Sequence, residues 1–434
     1  MQFDPPTATT PARTTGLRTE IFMELLNLTQ VKPGMRLGRA VFSSEGALLL
    51  PPGEMLDENS LHMLGQHGVK DVMVGAHPPE PISLQDVPQP EDLLRHVRQI
   101  VTKRFGQTDI DHPHMRALFE LAVERQGRLL LSCPGKVAPG KGALPSFQMP
   151  MPPKASLAPL IDKSHRIGTL PIVFQRLVSL LNNNDATIDE IAEIITADPT
   201  LTAKLLRLVN SPFYGLTYKI DTISRAVVMV GTRQLVMLAM GTTLITAFKG
   251  LPVSLVNMQS FWTHSLSTGA AARLLARAMN IAQAENYFVA GLLHDIARLL
   301  IFTQLPKHAL YILSEAKRRQ QSVHSLEQEC LGFTHEELGK ELLSSWRCPA
   351  ELITRVADHH KPLLDDFEKD EIIIPFSDML SRALGYGSSG EIALPSFDGA
   401  VWEKLGLSPE ELVEICRKLD DSVRHLRSLF TAAV

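Results

Sequence analysis

The sequence predicts a mainly α-helical protein with a small α+β module near its N-terminus. Three observations lead there. From about residue 160 onward, apolar residues recur at three- and four-residue spacing, with no alternating run of any length. Helix-start signals punctuate the same stretch, as in Asp198-Pro199 and Ser408-Pro409-Glu410-Glu411. Between residues 17 and 75 the pattern changes to short apolar runs broken by glycine and proline.

Taken in order, residues 1–16 read as a frayed tail. In the 17–75 module a short helical start over 20–28 leads to Pro33-Gly34. A strand at Leu48, Leu49 and Leu50 then turns at Pro51-Pro52-Gly53, and Val69, Val72 and Val74 supply another strand. Residues 76–90 are proline-rich and polar, which suits a linker. Leu93, Val97, Ile100 and Val101, then Leu118, Leu121 and Ala122, predict a helical segment over 91–132. Residues 133–159 hold seven prolines and three glycines, a second linker. In the C-terminal part Asp198 caps a helix that Pro199 opens and Leu201, Leu205, Leu206 and Val209 stripe. Further helices are predicted over 187–196, 222–230, 233–248, 258–279, 286–302, 307–319, 335–346, 350–360 and 372–384. Ser408 caps a last one, with Pro409 in its first turn and Glu411 able to bond back.

Composition narrows the function. A chain of 434 residues suggests two or three domains at about 150 residues each. With 44% hydrophobic and 21% charged residues it is neither disordered nor a disulfide scaffold. The net charge of -4 offers nucleic acid or an anionic membrane nothing general to hold, and Lys317-Arg318-Arg319 reads as a solvated helix end. Four scattered cysteines without a CxxC pair suit a reducing cytoplasm. No signal pattern opens the chain, and the apolar stretch 234–248 is shorter than the ~18 residues of a membrane span. A cytoplasmic protein is the expectation.

The chemistry concentrates in Asn286-Tyr-Phe-Val-Ala-Gly-Leu-Leu-His-Asp-Ile-Ala-Arg-Leu-Leu-Ile-Phe302, apolar on most faces and interrupted by His294, Asp295 and Arg298. A buried imidazole beside a buried carboxylate is costly unless each finds a partner. A metal ion satisfies both, as does a plain hydrogen-bonded pair with Asp295 bridged to Arg298. His264 lies on a helix striped by Trp262, Leu266, Ala270 and Leu274. His335 stands at a helix start, His359-His360 at a helix end, and Asp378 in a largely apolar stretch. Ligands on separate helices can converge inside a bundle.

Several stretches carry a family resemblance: LPIVFQRLVSLL, ADPTLTAKLLRLVNSPFYG, TISRAVVMVGTRQLVMLAM, FWTHS, VAGLLHDIARLL, CLGFTHEELGKELLSSW and ADHHKP. In this order they resemble an HDOD domain, a bacterial signalling relative of the HD metal-dependent phosphohydrolases, over 160–362. The resemblance implies an HD-like all-α helical bundle, with 363–434 as a helical extension. The 17–75 module resembles the small module ahead of some bacterial HD-type signalling domains. By resemblance the ligand set is His264, His294, Asp295, His335, His359, His360 and Asp378, for one or two divalent ions such as Fe or Mn. His324 is set aside as an exposed helix-start residue.

The departures from the family's hydrolases matter as much. Those of the HD-GYP group carry HDIGK where this chain has HDIAR. Arg298 is then the residue left to contact phosphate. Lys361-Pro362-Leu363 stands where a Gly-Tyr-Pro loop would follow, and Gly385-Tyr386-Gly387 lies too late to replace it. No Walker, GxGxxG or G-x-S-x-G motif offers other chemistry. The expectation is a non-catalytic regulatory protein that docks a signalling partner or senses a ligand. The alternatives are a metal-dependent phosphohydrolase acting on cyclic dinucleotides and a polar core network without metal.

Overall fold

The computed structural model describes residues 23–37, 41–42, 48–50, 54–66, 69, 71–75, 90–106, 108–132, 150–164, 171–183, 186–248, 255–361, 367–391 and 394–431. The expected tail 1–16, nearly all of the linker 76–90 and most of the linker 133–159 lie outside them. The chain divides into two compact units, residues 1–87 and 88–434.

In the first unit, strands Met23–Asn27, Asp71–Gly75 and Arg36–Leu37 form a three-stranded sheet with Asp71–Gly75 in the middle. Both neighbours run antiparallel to it, with Leu26 opposite Val72. A second ribbon pairs Val41–Phe42 with Leu48–Leu50, and one helix, Glu58–Gln66, completes the unit. Leu37, Leu56, Leu64, Val72 and Val74 form its core. The helical start expected over 20–28 is a strand over Met23–Asn27, ended by a single 3₁₀ turn at Leu28–Gln30. Local preference loses here because the central strand's buried valines reward pairing, and β preference is set mostly by such packing.

The second unit is helical throughout its described residues. Pro90–Phe105 and Pro113–Ser132 pack together as a hairpin. The helices that follow separate into two kinds. Ile188–Thr196 buries one stripe of Ile191, Ile194 and Ile195, as expected for a surface helix. Thr232–Phe248, Met258–Ala278 and Ile373–Ala383 are buried on nearly all faces and form the centre. The predicted caps are in place. Asp198 accepts from the backbone N–H of Thr200 and Leu201, and Ser408 and Glu411 cap each other reciprocally. No single described helix is long and apolar enough to cross a membrane.

Two boundaries differ from expectation, both at candidate ligands. The helix expected over 286–302 is two, Ala284–Leu293 and Ile296–Gln304, broken at His294-Asp295. Adjacent residues on one helix point about 100° apart; the break lets both side chains turn to one point. Likewise the helix expected to run to His360 ends as Ala350–Ala357, so the paired histidines stand in a turn.

Close helix approach brings these breaks together. A Cβ on Gly269 would lie 2.5 Å from the Phe288 carbonyl oxygen, and one on Gly291 would lie 2.9 Å from the Gly269 Cα. Met258–Ala278 and Ala284–Leu293 therefore cross with backbone against backbone, one turn from His264 and His294. Gly291→Ala must separate two buried helices that have no slack. It should cost at least the ~1–3 kcal/mol of an overpacked core, read as a lower urea midpoint.

Candidate metal centre

All seven sequence-predicted ligands converge on one buried point. Five helical segments supply them: His264 from Met258–Ala278, His294-Asp295 from the broken helix, His335 from the first position of His335–Ser345, His359-His360 from the turn after Ala350–Ala357, and Asp378 from Ile373–Ala383. Six of them are at most 4% exposed.

They fall into two groups joined by Asp295. His264 Nε2 lies 3.3 Å from His294 Nε2, 3.2 Å from Asp378 Oδ1 and 3.6 Å from Asp295 Oδ2. His294 Nε2 is 3.1 Å from the same Asp295 oxygen. The other oxygen, Oδ1, lies 3.1 Å from His335 Nε2 and 3.9 Å from His359 Nε2, which are themselves 3.1 Å apart. His360 joins this second group. Asp295 thus turns one oxygen to each cluster.

The outer edges of the rings fix where their protons sit. His294 Nδ1 is 2.7 Å from the Gly291 carbonyl, and His359 Nδ1 is 2.7 Å from that of Val356. A carbonyl only accepts, so each Nδ1 carries the hydrogen and each ring turns its Nε2 inward. His335 Nδ1 donates to Glu327 over 2.5 Å, which turns its own Nε2 inward too. With His335 Nε2 unprotonated, two lone pairs face each other across 3.1 Å between His335 and His359. Asp295 Oδ1 beside them is buried and has no hydrogen-bond partner among the described residues. A positive charge among these groups, whether a metal ion or a proton on His335 Nε2, satisfies the arrangement. Imidazole nitrogen and carboxylate oxygen suit Fe, Mn or Zn, so the donor set fits a divalent ion.

The protonation tendencies differ between the candidate ligands. Burial works against an ionised Asp295, but the Arg298 guanidinium and His294 hold its carboxyl well below the usual range. Burial likewise opposes charge on Asp378, and Arg382 at 2.5 Å with His264 keeps it ionised. Burial and the neighbouring imidazoles push His359 down to about 3, which leaves its lone pair free. For His335 burial and Arg298 act against the charged form, yet Glu327 and Asp295 outweigh them and raise it to about 9. Without a metal, a proton on His335 supplies the missing positive charge.

Arg298 is occupied differently from the phosphate contact expected of it. It is 1% exposed, with Nε 3.3 Å from Asp295 and 3.4 Å from Glu327, Nη1 on Ser389 and Nη2 3.8 Å from Glu391. It neutralises a ring of carboxylates. His324, set aside in the sequence, pairs with Glu336 at 2.6 Å, and Glu336 also accepts the backbone N–H of His360.

Glu327, Glu336 and Glu391 escaped sequence reasoning. A signal existed for Glu327: with Val323, Leu326, Cys330 and Leu331 it occupies the buried stripe of its helix, where an acid needs a reason to be. Glu391 has no such periodic context. Arg298→Met should leave three buried carboxylates without their counter-ion and cost about 3–5 kcal/mol, read as a lowered denaturation midpoint.

Comparison with known proteins gives this site a family. The HDOD domain model matches residues 167–362. An uncharacterised protein of Treponema pallidum (strain Nichols) is 26% identical over 231 residues, 51% of this chain and 44% of its own, so the chain spans less than half of that relative. The crystal structure of a candidate phosphohydrolase from Shewanella amazonensis SB2B is similar with a TM-score of 0.50 and 23% identity, over 63% of this chain and 98% of its own. That likeness bears on the fold. An HDOD domain protein with unknown function from Geobacter sulfurreducens has a TM-score of 0.46 and 24% identity, over 63% of this chain and 96% of its own. Residues 167–362, a little under half of the chain, thus carry its match to the HDOD domain.

Proposed function

We propose that this chain is a regulatory protein whose HDOD bundle holds one or two divalent ions as structural elements, and that it acts by docking a signalling partner or sensing a ligand. One observation carries the metal reading: imidazole nitrogens gathered on the two oxygens of one buried carboxylate. His264, His294, Asp295 and Asp378 would hold one ion, and Asp295, His335, His359 and His360 the other. When bound, such an ion supplies Lewis acidity and fixed positive charge. The protein's part is to keep Asp295 and Asp378 ionised, hold the rings of His294, His335 and His359 from behind and exclude water.

Two features favour regulation over turnover. The guanidinium expected at a phosphate is committed to Asp295, Glu327 and Glu391, and the ligands are almost wholly buried. A second reading, a metal-dependent phosphohydrolase, draws support from a cavity of about 640 Å³ that reaches His359 and is lined by Arg355 and Lys361. Partner identity and cellular location follow only from the resemblance and the composition, and belong to the proposal.

Protein purified anaerobically should carry one or two equivalents of transition metal by elemental analysis. His294→Ala and His359→Ala should each deplete one cluster, and Asp295→Ala both. Metal-free wild-type protein would sink the metal reading. Adding back the ion at a hundred times its Kd should stabilise the fold by about 2.7 kcal/mol. A screen of cyclic dinucleotides and simple phosphoesters should find no turnover; hydrolysis that His294→Ala abolishes would establish the phosphohydrolase reading instead.

A further inference from the structure

Residues 384–391 form a strap across the site, and the outer helices hold it down. It starts at the end of Ile373–Ala383, the helix that carries Asp378. Gly387, at φ +71°, lies so close to the Met258–Ala278 helix that a Cβ would stand 2.1 Å from the Ser260 carbonyl oxygen and 3.0 Å from the His264 nitrogen. Only glycine permits that contact at the turn bearing His264. The Ser388 N–H donates to the Ser260 carbonyl, and Ser389 Oγ accepts from Arg298. Glu391 accepts from the backbone of Val323, which opens the helix of Glu327, and faces Arg298. Within eight residues the strap touches the helices of His264, Arg298 and Glu327.

Its anchors come from helices outside the matched HDOD residues. Arg104, from Pro90–Phe105, donates to the Ala383 carbonyl at 3.1 Å. Arg125, from Pro113–Ser132, donates to the Leu384 carbonyl at 2.9 Å and to Asp420 of Pro409–Thr431 at 2.9 Å. The same guanidinium lies 3.8 Å from the centre of the Tyr386 ring, whose hydroxyl donates to Asp420. One arginine therefore satisfies the open carbonyl end of the Asp378 helix, stacks on the strap and joins two outer helices. Charge-assisted bonds in a largely buried setting hold geometry firmly.

We infer that Arg125 is a positioning residue for the metal centre: through Leu384 and Tyr386 it sets the place of Asp378 and of the strap, so that movement of the outer helices changes metal affinity. This rests on the metal reading proposed above, and it names where that site is regulated. Outer-sphere groups that orient ligands typically alter metal affinity by about 10–100-fold when removed.

The test uses full-length protein with Mn²⁺ alone, competed against a chromogenic chelator, and hydrogen exchange of the metal-free chain. Arg125→Ala should weaken Mn²⁺ binding by about 10–100-fold. It should also speed exchange in Ile373–Ala383 while leaving Ile188–Thr196 unchanged, which separates a local effect from general destabilisation. Tyr386→Phe, which keeps the ring under Arg125 and removes only the bond to Asp420, should shift both readouts the same way by less. It carries the test if Arg125→Ala does not fold. Arg98→Ala, which breaks the exposed Arg98–Glu120 pair between Pro90–Phe105 and Pro113–Ser132, should move neither. Unchanged exchange in Ile373–Ala383 overturns the inference, and so does altered exchange with wild-type Mn²⁺ affinity. Wild-type protein that binds no Mn²⁺ overturns the metal reading and this role toward it; exchange then still decides whether Arg125 holds the strap.

Discussion

A single carboxylate, that of Asp295, sets the terms for the helices around it. Buried and ionised among imidazoles, it offers one oxygen to His264 and His294 and the other to His335 and His359. An isolated charge in such a place is prohibitive, so compensation has to be built around it. Arg298 lies against one side and the histidine nitrogens against the other. Arg298 in turn faces Glu327 and Glu391, and the charges alternate outward until they reach backbone groups that can absorb them.

Holding that arrangement demands backbone geometry a regular helix cannot supply. The break at His294-Asp295 aims neighbouring side chains at one point, and the helix end before His359-His360 does the same on the far side. Gly269 and Gly291 let two central helices meet at backbone distance, which places His264 within reach of His294. Outside this shell helices such as Ile188–Thr196 return to ordinary amphipathic packing, with one buried stripe and a solvated face.

The same logic explains why the C-terminal helices belong with the site. Asp378 lies beyond the residues matched to the HDOD domain, yet its oxygen is as close to His264 as any other ligand atom. Ile373–Ala383 and Pro409–Thr431 share the hydrophobic core of the central helices. Arg104 and Arg125 close the carbonyl end of the Asp378 helix from the outer hairpin. A ligand supplied from a flanking helix makes the flank part of the site's mechanics.

Much of this was legible in the sequence, and the division has a physical cause. Periodicity and caps are local, so the helical class, the starts at Pro199, His335 and Pro409, and the turn at Pro33-Gly34 could be read from neighbours alone. The candidate ligand residues stood out too, because a histidine or acid inside an apolar stripe is conspicuous. Local signals did not reveal the strand at Met23–Asn27, which exists because Val72 and Val74 need a partner, nor the break inside 286–302. They did not separate a phosphate contact from a buried counter-ion at Arg298. Those outcomes depend on which distant groups meet, as Glu327, Ser389 and Glu391 meet Arg298 across up to 93 positions of chain. Sequence alone determined which residues could bear charge in this core; tertiary packing decided which charge each one faces, because a buried charge is stable only beside its partner.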